Sequence, residues 1–326
     1  MDKKVYNRGM LGQWFYNSTE VLALALTYRR MPKDIDYRKK VPYANEKNTH
    51  MNILTRKDLK DVKKPLFIYI HGGGWISGLL DMRNQYVVKW AQKGFFTASL
   101  NYTFAPQKVF PTQIQEIFTA IDYIYDSADK ENIDTENIII SGESAGGYFI
   151  TYVASCANNP ELLDKLGIEF KNRDKFRIKA IVSHGGCYDF NRLTDSSKPQ
   201  SKFPDIKMMS STFVGMTFKN LREHLKTQEG KLLSPEFKEG FPPMFLVWGA
   251  MDYLRYETFD LAEQLKKIGT EHRVYKADGL ISPHAWSIVT MLKKSRKCLD
   301  ETWDFVLPYV EDYFEKSNGK WAFKRK

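Results

Sequence analysis

From about residue 65 onward, short apolar runs alternate with longer stretches of helical periodicity. A chain with this rhythm has few ways to bury its apolar runs. The favoured one is a mostly parallel sheet covered on both faces by helices. The buried strands are expected at Leu66–Ile70, Phe96–Asn101, Ile138–Ser141, Lys179–Ser183, Met244–Trp248 and Arg273–Ala277. Helical patterns fall near 83–93, 111–128, 145–158, 257–268 and 299–315, and 41–57 can supply one or two antiparallel edge strands.

Two segments break the alternation. Residues 10–31 read as an amphipathic helix ahead of the sheet, and residues 185–243 form a long excursion between strands, rich in Met and Phe. An excursion of that length inside a compact unit is usually functional or carries its own helices. The two are expected to form a cap, spanning about 1–40 and 185–243, over the carboxyl ends of the strands. That is where open α/β sheets bind ligands. The whole of 1–326 reads as one domain, without repeats or a linker. With 43% hydrophobic and 14% aromatic residues, a sizeable core is available.

The formal charge of +10 raises nucleic acid as a partner, so its location matters. Residues 1–65 hold 15 Lys and Arg against 7 Asp and Glu, and 293–326 hold 9 against 6. The middle carries 25 against 26, with no basic stripe interleaved with aromatics. The reading is therefore no nucleic acid partner and a solvated lysine-rich surface. Three scattered cysteines, Cys156, Cys187 and Cys298, argue against a disulfide framework and fit a reducing compartment. No apolar run follows the basic N-terminus or approaches the ~20 residues that span a bilayer. The expectation is a cytoplasmic protein without stable membrane insertion, for which a homodimer is admissible.

The chemistry begins at Ile138–Gly147, which reads as a strand, a tight turn and a helix. Gly142-Glu143-Ser144-Ala145-Gly146 places Ser144 at the turn, where a serine is forced out of the backbone and exposed above the sheet. Three specified positions are weak evidence alone; the strand before and the helix after them raise it. The helix beginning at Ala145 also directs its positive dipole end at any charge forming there.

Directly after the strand Leu66–Ile70 comes His71-Gly72-Gly73-Gly74-Trp75. Consecutive glycines there let backbone N–H groups face a cleft, as stabilisation of a carbonyl oxyanion requires. The expected donors are Gly73, Gly74 and Ala145, with His71 a structural residue; the Lys-Ser/Thr of a phosphate-binding loop is absent. For the base, chain order favours a histidine after the acid, which leaves His284. Asp252, just past Met244–Trp248, is the expected acid that orients it. His184, Cys187 and Asp189 cluster after a strand, but no second ligand group stands at metal spacing, so no metal is expected. Trp75, Glu143, Met208 and Phe213 are the expected substrate contacts.

With these motifs in this order, the stretch from about 65 to 290 resembles the hormone-sensitive lipase-like branch of the α/β-hydrolases and, more broadly, bacterial carboxylesterases. The resemblance implies an α/β-hydrolase fold with a sheet of about eight strands, a cap from the N-terminal residues and the excursion, an acyl-serine intermediate and no cofactor. The family often carries a second acid four positions after the triad acid; here Tyr256 stands there, followed by Glu257. Ser282-Pro283 also intervenes where a glycine turn is common before the base. The expected activity is hydrolysis of short- to medium-chain carboxylic esters. Deacylation of acetylated sugars, amides or peptides is the alternative from the same constellation. A non-catalytic small-molecule receptor is the alternative from another class.

Overall fold

The computed structural model describes residues 1–278 and 282–324. Eight strands form one sheet: β1 (Ile35–Pro42), β2 (His50–Arg56), β3 (Lys64–Ile70), β4 (Phe96–Leu100), β5 (Ile133–Glu143), β6 (Ala180–His184), β7 (Met244–Gly249) and β8 (His272–Ala277). Their order is β1-β2-β4-β3-β5-β6-β7-β8. The six strands from β4 to β8 in that order run parallel, and β2 and β1 add antiparallel at one edge. The fold is the α/β architecture expected from the alternation; of the edge pair, β2 lies in the anticipated segment 41–57, while β1 lies mostly ahead of it.

Strand β3 shows why both faces must be covered. Leu66, Ile68 and Ile70 point into one apolar cluster and Phe67 and Tyr69 into another, so the strand is buried throughout. On the first face lie α3 (Thr112–Asp126), α4 (Ala145–Asn158) and α6 (Arg255–Lys267), and on the second lie α2 (Leu80–Lys93) and α7 (Lys293–Val306). Helix α7 differs from the expected 299–315. It ends where Pro308, lacking an N–H and clashing with the preceding turn, cannot continue it. A 3-10 turn (Leu307–Val310) and a hairpin of β9 (Phe314–Ser317) and β10 (Lys320–Phe323) follow instead.

The N-terminal helix α1 runs Lys3–Thr27, longer at its start than 10–31. The extension has a local cause: the Asp2 carboxylate accepts from the N–H groups of Lys4 (2.7 Å) and Val5 (3.2 Å). Nor is it amphipathic in the expected sense, because large apolar side chains stand on its outer face as well as its inner one. Residues 35–40, assigned to the cap from sequence, belong to the sheet as β1. Residues 185–243 carry four short helices, of which α5 (Pro204–Val214) packs against α1.

Candidate active site

Strand β5 delivers Ser144 at a backbone geometry that few side chains tolerate, φ 55° and ψ −122°. It is held there by hydrogen bonds from Ser144 N to the His184 carbonyl (3.3 Å) and from Cys187 N to the Ser144 carbonyl (3.2 Å). The bend is so tight that a Cβ on Gly142 would stand 2.7 Å from the Gly146 and Ile70 carbonyl oxygens. A Cβ on Gly146 would collide with the Ile70 carbonyl outright, so neither flanking position accepts a side chain. Ser144 is partly exposed, and it opens into a cavity of about 320 Å3 whose lining includes Gly73, Gly74, Trp75, Arg83, Met209 and His284.

Gly73 and Gly74 follow β3 with φ 117° and 59°, conformations that L side chains rarely adopt. No protein acceptor faces the N–H groups of Gly73, Gly74 or Ala145 among the described residues. His71 is buried behind this loop, its ring nitrogens bonded to the Gly72 carbonyl (2.6 Å) and the Asn101 side-chain oxygen (2.9 Å). Burial lowers its pKa, and the two contacts hold the ring in place as a strut behind the loop.

At the far side, Asp252 follows β7 and is only 1% exposed. Its Oδ1 accepts from Leu254 N (2.8 Å) and lies 3.0 Å from His284 Nδ1. Gly185, at φ 62°, leaves room for this carboxylate, which a Cβ there would strike. His284 follows β8 in the chain; residues 279–281, between them, lie outside the described residues. Burial opposes the imidazolium, but the charge and hydrogen bond of Asp252, with Glu143 behind, outweigh it and raise the His284 pKa above 6.5. Its Nε2 is buried and makes no protein hydrogen bond, so the bond to Ser144 Oγ is not made in this structure. Both groups face the same cavity. Catalytic hydrogen bonds often tighten only when substrate is present.

Of the four expected substrate contacts, Trp75 lines the cavity, braced by stacking on Phe213 (5.0 Å between centroids). Glu143 also lines the cavity, and its carboxylate is engaged by protein partners. At 2% exposure its carboxylate accepts from Arg83 Nε (2.8 Å) and from the Tyr69 hydroxyl. Burial pushes its pKa up; Arg83 and Tyr69 more than reverse this, and it ends below the usual glutamate value. Phe213, expected at the substrate, is not part of the cavity lining: it sits behind Trp75, inside an aromatic cluster with Tyr148 and Phe190. Met208 lies against α1 at Gly12, while its neighbour Met209 and Ile206 reach the cavity. Helix α5 decides this, since adjacent residues on a helix point about 100° apart.

Arg83 was not foreseen. It is 8% exposed and joins Glu143 to Glu20 of α1 (Nη1 to Oε1, 2.9 Å), so the cap is bound by charge to the residue beside Ser144. A signal existed: Arg83, Tyr86, Val87 and Trp90 follow i, i+3, i+4, i+7, which puts Arg83 on the buried stripe of α2.

Tyr256 does not act as the second acid, but Glu257 turns inward, fully buried. It accepts from Tyr188 N (3.2 Å) and Gln200 Nε2 (2.7 Å), anchoring the start of the excursion. His184 is bonded to Ser287 Oγ (2.8 Å) and the Tyr86 hydroxyl (2.9 Å). Among the described residues no three His, Cys, Asp or Glu side chains are grouped to hold a metal ion, and no helix is long and apolar enough to cross a membrane.

The BD-FAE family matches residues 51–257. The AB hydrolase superfamily protein C1039.03 of Schizosaccharomyces pombe is 32% identical over 248 residues, 71% of this chain and 66% of that one. Esterase LipC of Mycobacterium tuberculosis is 28% identical over 184 residues, 56% of this chain; the match spans 43% of LipC, less than half its length. Among solved structures, an inhibited esterase B from Lactobacillus rhamnosis superposes with a TM-score of 0.79 at 17% identity, covering 95% of this chain and 98% of that one. The chain therefore belongs to the BD-FAE family and, within the α/β-hydrolases, to the serine carboxylesterase branch.

Proposed function

We propose that the protein hydrolyses short- to medium-chain carboxylic esters through an acyl intermediate on Ser144, with His284 as base, Asp252 as its orienting acid and Gly73, Gly74 and Ala145 as oxyanion donors. The observation that carries this is the convergence of Ser144, Gly73, Gly74 and His284 on one cavity. Ser144, Gly73 and Gly74 line it beside the buried, unbonded Nε2 of His284, whose Nδ1 faces Asp252. In the first half-reaction His284 Nε2 takes the hydroxyl proton as Ser144 Oγ attacks the carbonyl carbon. The carbonyl oxygen gains negative charge and is met by the free N–H groups. The tetrahedral species collapses, the C–O bond to the alcohol breaks, and His284 returns the proton to the departing oxygen. Water then repeats the sequence on the acyl-serine and releases the acid.

The chain-length preference rests on the cavity. About 320 Å3 is at the small end of the ~300–1,000 Å3 common for small-molecule sites, and its lining includes Trp75, Ile206, Met209, Ile288 and Val289. The test compares acetyl, butyryl and palmitoyl nitrophenyl esters on the native chain and on Ser144→Ala, with fluorophosphonate labelling alongside. Activity on the acetyl and butyryl esters, and labelling that disappears in Ser144→Ala, are expected. A palmitoyl optimum overturns the size argument. Retained turnover in Ser144→Ala overturns the assignment of Ser144, and a folded native chain that neither labels nor turns over any ester would be a receptor.

A further inference from the structure

Helix α1 has two faces with different demands. The inner one is satisfied: Gly9 packs on Thr212, Gln13 Nε2 donates to the Ile76 carbonyl (2.8 Å), and Glu20 pairs with Arg83. On the outer one, Leu11, Trp14, Leu22 and Leu26 are 64 to 74% exposed, with Phe15 and Val21 beside them. At 1.5 Å per residue, Leu11 to Leu26 is an apolar strip of about 22 Å. Large apolar side chains gathered on one exposed face mark a docking surface rather than ordinary scatter.

The charges around the strip say what would cover it. Lys3, Lys4 and Arg8 stand exposed before it and Arg29, Arg30 and Lys33 after it. Between residues 3 and 33 the sole acid is Glu20, which is turned inward to Arg83. A second copy of the chain is a poor occupant. Antiparallel pairing of two such helices would set Lys3, Lys4 and Arg8 against Arg29, Arg30 and Lys33, and parallel pairing would set like ends together. An apolar strip flanked by cations fits an anionic lipid surface, where the side chains enter the acyl boundary and the cations meet the headgroups. We infer that α1 docks the protein peripherally on anionic membrane surfaces, lying in the interface without crossing it. The inner face of the same helix lines the cavity with Tyr16, Glu20 and Thr27, so docking places α1 between the cavity and the lipid.

The test is cosedimentation of the full chain with vesicles of phosphatidylcholine plus phosphatidylglycerol, compared with phosphatidylcholine alone. Binding to the phosphatidylglycerol vesicles, weakened by salt, is expected. Trp14→Ser/Leu22→Ser should bind at least about tenfold more weakly, since each side chain loses burial in the acyl boundary. Arg29→Glu/Arg30→Glu, beyond the end of the helix, should lose the preference for phosphatidylglycerol; circular dichroism verifies that both variants fold. Equal partition into the two vesicle types, or a Trp14→Ser/Leu22→Ser variant that binds like the native chain, overturns the inference. So does a dimer in solution that dissociates in that variant.

Discussion

Replacing Arg83 by Met would strand two carboxylates, Glu143 at 2% exposure and Glu20 beside it, while the methionine keeps most of the apolar stem that Arg83 presents from α2. Breaking a buried pair by removing one partner typically costs about 3–5 kcal/mol. Here Glu143 has an escape that sets a ceiling: it can take up a proton. Its ordinary value is 4.5, so holding it neutral at pH 7 costs about 2.5 units at 1.36 kcal/mol each, or ~3.4 kcal/mol. A loss of roughly 3 kcal/mol at pH 7 is therefore expected, and for a chain of 326 residues a fall in Tm of roughly 4–5 °C.

The pH dependence carries the reasoning. In the native protein the Glu143 pKa is depressed, so its contribution is present above 4.5 and is lost as pH falls through the folded value. In the variant, Glu143 is protonated when folded and ionised when unfolded. Its stability then falls by about 1.4 kcal/mol per pH unit as pH rises toward neutrality. Denaturant titrations of the native chain, Arg83→Met, Glu143→Gln and the double variant across that range complete the cycle. Glutamine needs no countercharge and still accepts from Tyr69, so the double variant should recover about 2 kcal/mol relative to Arg83→Met. A loss under about 1 kcal/mol, a loss independent of pH, or no relief from Glu143→Gln refutes the view that Arg83 neutralises Glu143.

Two further outcomes bear on the proposed chemistry. Asp252→Asn should reduce kcat by about 10⁴. Because Asp252 raises the His284 pKa, and the base must be neutral to accept a proton, the acid limb of kcat/KM should also move to lower pH than in the native enzyme; an unmoved limb would separate His284 from the reaction. Gly74→Ala places a Cβ at φ 59° against the Met209 sulfur, so kcat should fall about 10²–10³ with KM nearly unchanged, as for loss of an oxyanion donor. Native kcat in that variant would remove Gly74 from the oxyanion assignment.

Much of this molecule was legible in the residues because local chemistry leaves few choices. The strand, turn and helix around Ser144 follow from Ile138–Ile140, from two glycines that no side chain can replace, and from the helix former that comes next. Gly73 and Gly74 announce positive φ by being glycine. Asp252 and His284 could be placed at one end of the sheet because parallel strands put all such loops on the same edge. The cap resisted for the opposite reason. Met208 and Met209 are chemically identical neighbours, and only the docking of α5 on α1 turns one to the helix and the other to the cavity.

The partners of Glu143 were hidden on the same grounds. Its position beside Ser144 suggested substrate, while Arg83, sixty residues earlier in the chain, had already taken its carboxylate. The outer face of α1 is a related case: apolar residues at helical spacing imply burial, and whether anything buries them is settled by where the helix lies. What the sequence determined by itself was the sheet, the turn at Ser144 and the candidate groups at its edge, all set within a few residues of chain. What only the tertiary structure decided was the ion-paired link from α1 to Glu143, the lining of the cavity and the exposed strip. Each of these depends on which surfaces of separate helices meet.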